Sequence, residues 1–148
     1  MTTICASATY AAMAADSRVS VGPVHFPSTK IYRIGGLLVG GAGLGVDIAA
    51  FLAWVENNPD FSPDSRPTMS APDNFEAMVL CDEGIFVFEW DCVPCPVDRE
   101  FHAIGTGAQA AIAAMMLRAT PKRAIEIACR IDCNSGGPVA VLKLEDNI

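Results

Sequence analysis

Apolar residues in this chain come in short runs broken by turn residues, and their period shifts from strand-like to helix-like and back. Residues 2–8 and 10–15 read as two short strands with a tight turn near Thr9-Tyr10, a hairpin that opens the domain. A Gly-Pro loop at 22 and 23 leads to Lys30-Ile31-Tyr32-Arg33-Ile34, and Leu37–Gly41 is another apolar strand. That strand runs through Gly40-Gly41-Ala42-Gly43-Leu44-Gly45 into a helical pattern over Val46–Glu56. From Asn57 to Asn74 the chain turns polar and carries Pro59, Pro63, Pro67 and Pro72, a spacing no helix interior tolerates, so an extended loop is predicted.

Ala77–Cys81 and Ile85–Trp90 form a second predicted hairpin around Asp82-Glu83-Gly84, and both strands are apolar nearly throughout, as strands covered on two faces are. A loop at 91–98 precedes a short strand ending at Ile104. Gly107–Arg118 is apolar almost all round, which predicts a helix buried on two sides. Thr120 caps the next helix, Pro121 takes its first position, and Lys122, Glu126 and Arg130 mark an exposed stripe. The helix ends at Asp132-Cys133-Asn134-Ser135-Gly136-Gly137, and Val139–Leu144 is the closing strand. This order predicts one α+β domain over residues 1–148: a four-layer αββα sandwich of two antiparallel sheets flanked by helices, with one helical layer shortened where 57–74 replaces a helix.

Composition narrows the function. Hydrophobic residues make up 51%, a surplus that fits sheets buried on both faces or contacts between subunits. With 10 Lys and Arg against 17 Asp and Glu and no basic run, the chain has little to offer nucleic acid. No secretion signal or membrane-spanning stretch is evident, so a cytoplasmic location with no membrane partner is expected, and the six cysteines read as reduced thiols. Cys92 and Cys95 have the spacing of half a zinc site, which Cys129 and Cys133 complete only if the fold brings them near; no metal and no cofactor are expected. The glycine-rich turn at 40–45 suits an anion at a helix start, but it lacks the pattern of a nucleotide-binding loop.

The most informative feature is Thr2, directly behind Met1 at the head of the first strand. A small second residue permits removal of Met1, which gives Thr2 a free α-amine next to its own hydroxyl. Such an amine has a pKa of about 7.7 to 8.0, so one residue supplies both nucleophile and base.

Thr2-Thr3-Ile4, Ala15-Asp16-Ser17-Arg18, Lys30 ahead of Ile31-Tyr32-Arg33-Ile34, Gly40 through Asp47, Ala103-Ile104-Gly105-Thr106-Gly107 and Asp132-x-x-Ser135-Gly136-Gly137 follow one another in order. Together they resemble the proteasome β-subunit family and its bacterial relative, the HslV-type peptidase, within the N-terminal nucleophile hydrolases. The resemblance implies Thr2 as nucleophile and Lys30 beside it, lowering the pKa of its amine by like charge, with Asp16 pairing Lys30. It implies Gly43 as the oxyanion-hole glycine, Asp132 and Ser135 as the pair that orients Thr2, and Thr106 where a serine is usual. Read singly, Asp16 and Lys30 fit a surface ion pair worth under about 1 kcal/mol better than a site pair, Gly43 a packing glycine, and Asp132 with Ser135 a helix end. The family pattern also places Val19, Ser28, Tyr32, Gly41, Gly45 and Ala49 around the side chain before the cleaved bond, which predicts an uncharged residue there.

The function implied is a threonine-type endopeptidase acting on peptides or unfolded protein as a homo-oligomer, with an unfoldase ATPase as a candidate partner. Two alternatives stay open: an amidase of the same chemistry acting on a small amide, and an inactive assembly protein if Met1 is retained.

Overall fold

Every other residue of the first strand faces a different layer, and this alternation organises the molecule. The computed structural model describes residues 1–146. Strand β1 (Thr3–Ser7) lies between β2 (Ala12–Ala15) and β10 (Phe101–Gly105), and β11 (Ala140–Lys143) adds to β2, giving a four-stranded antiparallel sheet in the order β10-β1-β2-β11. Ile4 is opposite Ile104 on one side and Ala15 on the other. Strands β5 (Ile31–Ile34), β6 (Leu37–Ala42), β7 (Glu76–Cys81), β8 (Gly84–Phe88) and β9 (Cys95–Pro96) form the second sheet, also antiparallel, in chain order.

Three apolar clusters separate the layers. Ile4, Ala6 and Met13 of the first sheet meet Leu38, Met78 and Leu80 of the second, forming the core between the sheets. On the outer face of the first sheet, Cys5, Ala14 and Ala103 pack under helices α2 (Ala108–Met116) and α3 (Pro121–Ile131). On the outer face of the second, Val39, Ala77, Val79 and Phe88 pack under helix α1 (Gly45–Asn57) through Phe51, Trp54 and Val55. These are the four layers the sequence predicts. Complete burial of a side chain as large as Ile4, Leu38 or Phe51 stabilises the fold by roughly 1.5–3 kcal/mol each.

The fourth layer is one helix and a strap. Residues 58–71 contain no helix or strand, yet they are fixed: Trp54 Nε1 donates to the Asp64 carbonyl at 3.1 Å, and Met69 enters the α1 core. Phe61 stacks on Trp54 at a centroid distance of 6.4 Å and meets Phe88 edge-on at 5.0 Å. The prolines stop a helix, and the aromatic residues hold the extended chain in its place.

Three expectations need correction. Residues 18–27 are a hairpin, β3 (Arg18–Val21) paired to β4 (Val24–Pro27) about Gly22-Pro23, where only a loop is expected. Its alternating side chains include exposed Val21, Val24 and Phe26, so no buried face announces it. The loop at 91–98 contributes the short strand β9. Helix α2 buries Ala111, Ala114 and Met115 on one side only, leaving Met116 and, just beyond it, Leu117 exposed in the single chain. On α3, Glu126 pairs with Arg123 at 3.1 Å. Its cap is as expected, with the Thr120 hydroxyl accepting the Arg123 N–H. Among the described residues, no helix is long and apolar enough to cross a membrane.

Candidate active site

Asp16 directly follows β2, and Lys30 directly precedes β5. The β3–β4 hairpin between them is closed at its base, where Ser28 N–H donates to the Ser17 carbonyl at 2.7 Å, and this returns Lys30 to Asp16. Lys30 Nζ donates to Asp16 Oδ1 at 2.9 Å, to the Arg18 carbonyl at 2.7 Å and to the Met1 carbonyl at 2.8 Å. An ammonium has three donors, and all three are engaged. Asp16, with no exposed surface, also accepts from Thr3 N–H on Oδ1 at 3.0 Å and from Gly136 N–H on Oδ2 at 3.1 Å. The surface-pair reading is therefore corrected. This is a buried pair, and removing one partner of such a pair costs about 3–5 kcal/mol because the other charge is stranded.

A second network runs behind Thr2. Asp132, at the C-terminal cap of α3, accepts on Oδ2 from Thr106 Oγ1 at 2.5 Å and Ser135 Oγ at 2.6 Å, and on Oδ1 from Asn134 N–H at 3.1 Å. The ionised carboxylate only accepts, so the one hydroxyl proton of Ser135 points at it. Ser135 must then accept from Thr3 Oγ1, 2.7 Å away, which in turn accepts from Gly107 N–H at 3.0 Å. Each hydroxyl direction is thus set by the next, from Gly107 to Asp132, in the manner of a polarised chain. Desolvation pulls the Asp132 carboxyl upward, but the bonds from Ser135, Thr106 and Asn134 outweigh it and hold the group below the usual carboxylate value.

Thr2 itself is tied in through its carbonyl, which accepts Thr106 N–H at 2.8 Å. Gly105, at φ +94°, makes this approach possible: a Cβ there would lie 1.8 Å from the Thr2 oxygen. Thr2 opens into a cleft of about 730 Å³ that it shares with Gly43, Phe75, Glu76, Trp90 and Thr106. Gly43 lies in the turn between β6 and α1, at φ +131°, and a Cβ there would meet the Asn74 carbonyl at 2.8 Å. Only glycine fits both that dihedral and that contact. Asp73, Glu76 and Glu89 also line the cleft and give it acidic character.

Of the expected site residues, Asp16 with Lys30, and Thr106 with Asp132 and Ser135, are brought together by hydrogen bonds, and Thr2, Gly43 and Thr106 share the cleft. None of the six expected around the substrate side chain is among the residues lining the cleft that holds Thr2. Val19 is on β3, Ser28 follows β4, Gly41 is in β6 and Gly45 begins α1, while Tyr32 and Ala49 line a different depression of about 810 Å³. Sequence reasoning missed Thr3, the link between the two networks, and the backbone groups of Arg18, Gly105, Gly107 and Gly136. A signal for Thr3 existed: a polar side chain in a strand buried at every position needs partners. Among the described residues no three of His, Cys, Asp or Glu group as metal ligands; Cys92 is buried in the α1 core and Cys95 is exposed.

In this arrangement Thr2 lines the cleft, a buried ammonium held by a carboxylate bonds the Met1 carbonyl on one side of it, and an aligned row of hydroxyls begins at Thr3 on the other. Such a set can carry acyl transfer once an adjacent base is free.

No family model matches the chain, and no curated protein matches it in sequence. Solved structures do. Eukaryotic HslV from Trypanosoma brucei is similar at a TM-score of 0.71 with 22% identity, over 95% of this chain and 99% of that one. BPH of Thiobacillus denitrificans in complex with epoxomicin is similar at 0.71 with 17% identity, over 96% of this chain and 98% of that one. BPH by itself gives 0.70 with 18% identity over the same shares. The chain has the fold of HslV-type peptidases, an α+β architecture of antiparallel sheets and helices.

Proposed function

We propose that this protein is a threonine-type endopeptidase of the proteasome and HslV kind, working as a homo-oligomer. The observation that supports the reading is the buried Lys30–Asp16 pair, bonded to Met1 and Thr3 on either side of Thr2, together with the aligned chain from Thr3 through Ser135 to Asp132 and the cleft that Thr2 lines. With Met1 attached, the Thr2 nitrogen is an amide, and one Lys30 donor is taken by the Met1 carbonyl. Removal of Met1 changes both: Thr2 gains an amine, and that Lys30 donor is released.

The amine of Thr2 then accepts the proton of its own hydroxyl as the oxygen attacks the substrate carbonyl. The tetrahedral intermediate carries a negative oxygen, which the N–H of Gly43 stabilises. Collapse breaks the C–N bond, the ammonium of Thr2 gives its proton to the leaving amine, and an ester on Thr2 remains. Water, deprotonated by the same amine, hydrolyses that ester and restores the hydroxyl. Every step uses groups of the chain and water, so no cofactor enters.

Peptides and unfolded proteins are the proposed substrates, with Val19, Ser28, Tyr32, Gly41, Gly45 and Ala49 still the proposed surroundings of an uncharged side chain before the cleaved bond. Exposed Met116, Leu117 and Ile131 on the α2–α3 side support contact between subunits, and an unfoldase ATPase is the proposed supplier of unfolded chains. The test is hydrolysis of an unfolded protein and of small amides by protein lacking Met1, beside Thr2→Ala. Wild type is expected to degrade the unfolded protein, and Thr2→Ala to lose all turnover while keeping its thermal transition. Undiminished turnover in Thr2→Ala would refute the nucleophile; activity confined to small amides would favour an amidase.

A further inference from the structure

We propose that Asp47 is a positioning residue for the cleft, clasping residues 70–76 onto the first turn of α1 and so fixing the wall against which Gly43 is set. As the third residue of α1, its carboxylate would ordinarily serve the free N–H groups of its own helix. Here both oxygens turn away from the helix: Oδ1 accepts Ser70 N–H at 2.7 Å and Oδ2 accepts Ala71 N–H at 2.9 Å. Asp47 is only 2% exposed, so little water competes for these bonds. The Ser70 amide first, then the Ala71 amide, holds its carboxyl below the usual range, and the clasp is charged at neutral pH.

What the clasp fastens is the end of the proline-bearing strap. Immediately beyond it, Pro72 through Glu76 line the cleft that holds Thr2. The Asn74 carbonyl sits 2.8 Å from where a Gly43 Cβ would be, so the strap lies directly on that glycine. At its far end Glu76 Oε2 accepts Gly105 N–H at 3.3 Å, and Gly105 is the residue on which the Thr2 carbonyl rests. One short segment therefore spans from the Gly43 side of the cleft to the Thr2 side, and Asp47 is its anchor. Releasing it moves Gly43 relative to Thr2 without touching either.

The consequence for catalysis rests on Thr2 as nucleophile and Gly43 as oxyanion donor; the clasp has its own readout. The experiment compares wild type, Asp47→Asn and Asp47→Ala, each lacking Met1, by amide hydrogen exchange over residues 66–76 and by the rate and stoichiometry of labelling with an epoxyketone. Exchange is expected to quicken in both variants. Labelling by Asp47→Ala is expected to slow on the order of 10- to 100-fold while still reaching one adduct per chain. Asp47→Asn, which keeps one acceptor, falls between, and it decides the matter if Asp47→Ala does not fold. A purely structural role would reduce the fraction labelled and leave the rate of the remainder alone, which overturns the proposal. So does unchanged exchange, or quickened exchange with wild-type labelling rates. If wild type is not labelled at all, the peptidase reading fails, and exchange alone upholds or overturns the clasp.

Discussion

Asp132 sets the directions of the hydroxyls behind Thr2, because a carboxylate that accepts from both Thr106 and Ser135 leaves each of them one way to point. Its folded pKa is depressed, so the sign of the pH effect follows: the stabilisation is present above the unfolded value of about 3.9 and is lost as pH falls through the lower folded value. The urea midpoint of wild type should exceed that of Asp132→Asn at neutral pH, and the gap should close in acid below that window. A gap that persists unchanged there would show that Asp132 acts through packing alone. Asp132, Ser135 and Thr106 were legible in the sequence because hydroxyl and carboxylate residues recur at spacings that the resemblance interprets. Thr3 and the N–H groups of Gly107 and Gly136 were not. They act through buried backbone positions, and nothing in a residue's type announces which N–H faces a site. The buried state of Asp16 and Lys30 was equally hidden, since the hairpin that folds Lys30 back is itself exposed.

At the scale of elements, the strap at 57–74 shows how a missing helix is replaced. Phe51 of α1 meets Phe88 at a centroid distance of 5.0 Å, Phe75 at 5.5 Å and Trp54 at 5.8 Å, and so joins the helix to β8 and to the residue that follows the strap. Phe51→Ala should lower the unfolding free energy by about 3–5 kcal/mol, measured by denaturant titration. A change under about 1 kcal/mol would mean that the strap collapses into the space and carries little of the layer's stability. The prolines made the loop legible, and the apolar strands around 82–84 made their hairpin so. The β3–β4 hairpin escaped because its apolar residues face solvent, and the one-sided burial of α2 escaped because a helix apolar all round gives no direction.

For the whole molecule, four layers follow from two sheets each covered on both faces, and this accounts for an apolar share of 51% in a chain of 148 residues. The two sheets meet the cleft at one end, where the head of β1 and the turn after β6 come together, so the same packing that buries Ile4 presents Thr2. Peptidase activity requires Thr2 to be a working nucleophile with a free amine. Intact mass of the purified protein, with and without an epoxyketone that requires both groups on one terminal residue, tests this most directly. Loss of one methionine and a single adduct per chain, absent in Thr2→Ala, is the predicted result; retained Met1, or a processed chain that takes up no adduct, would contradict it.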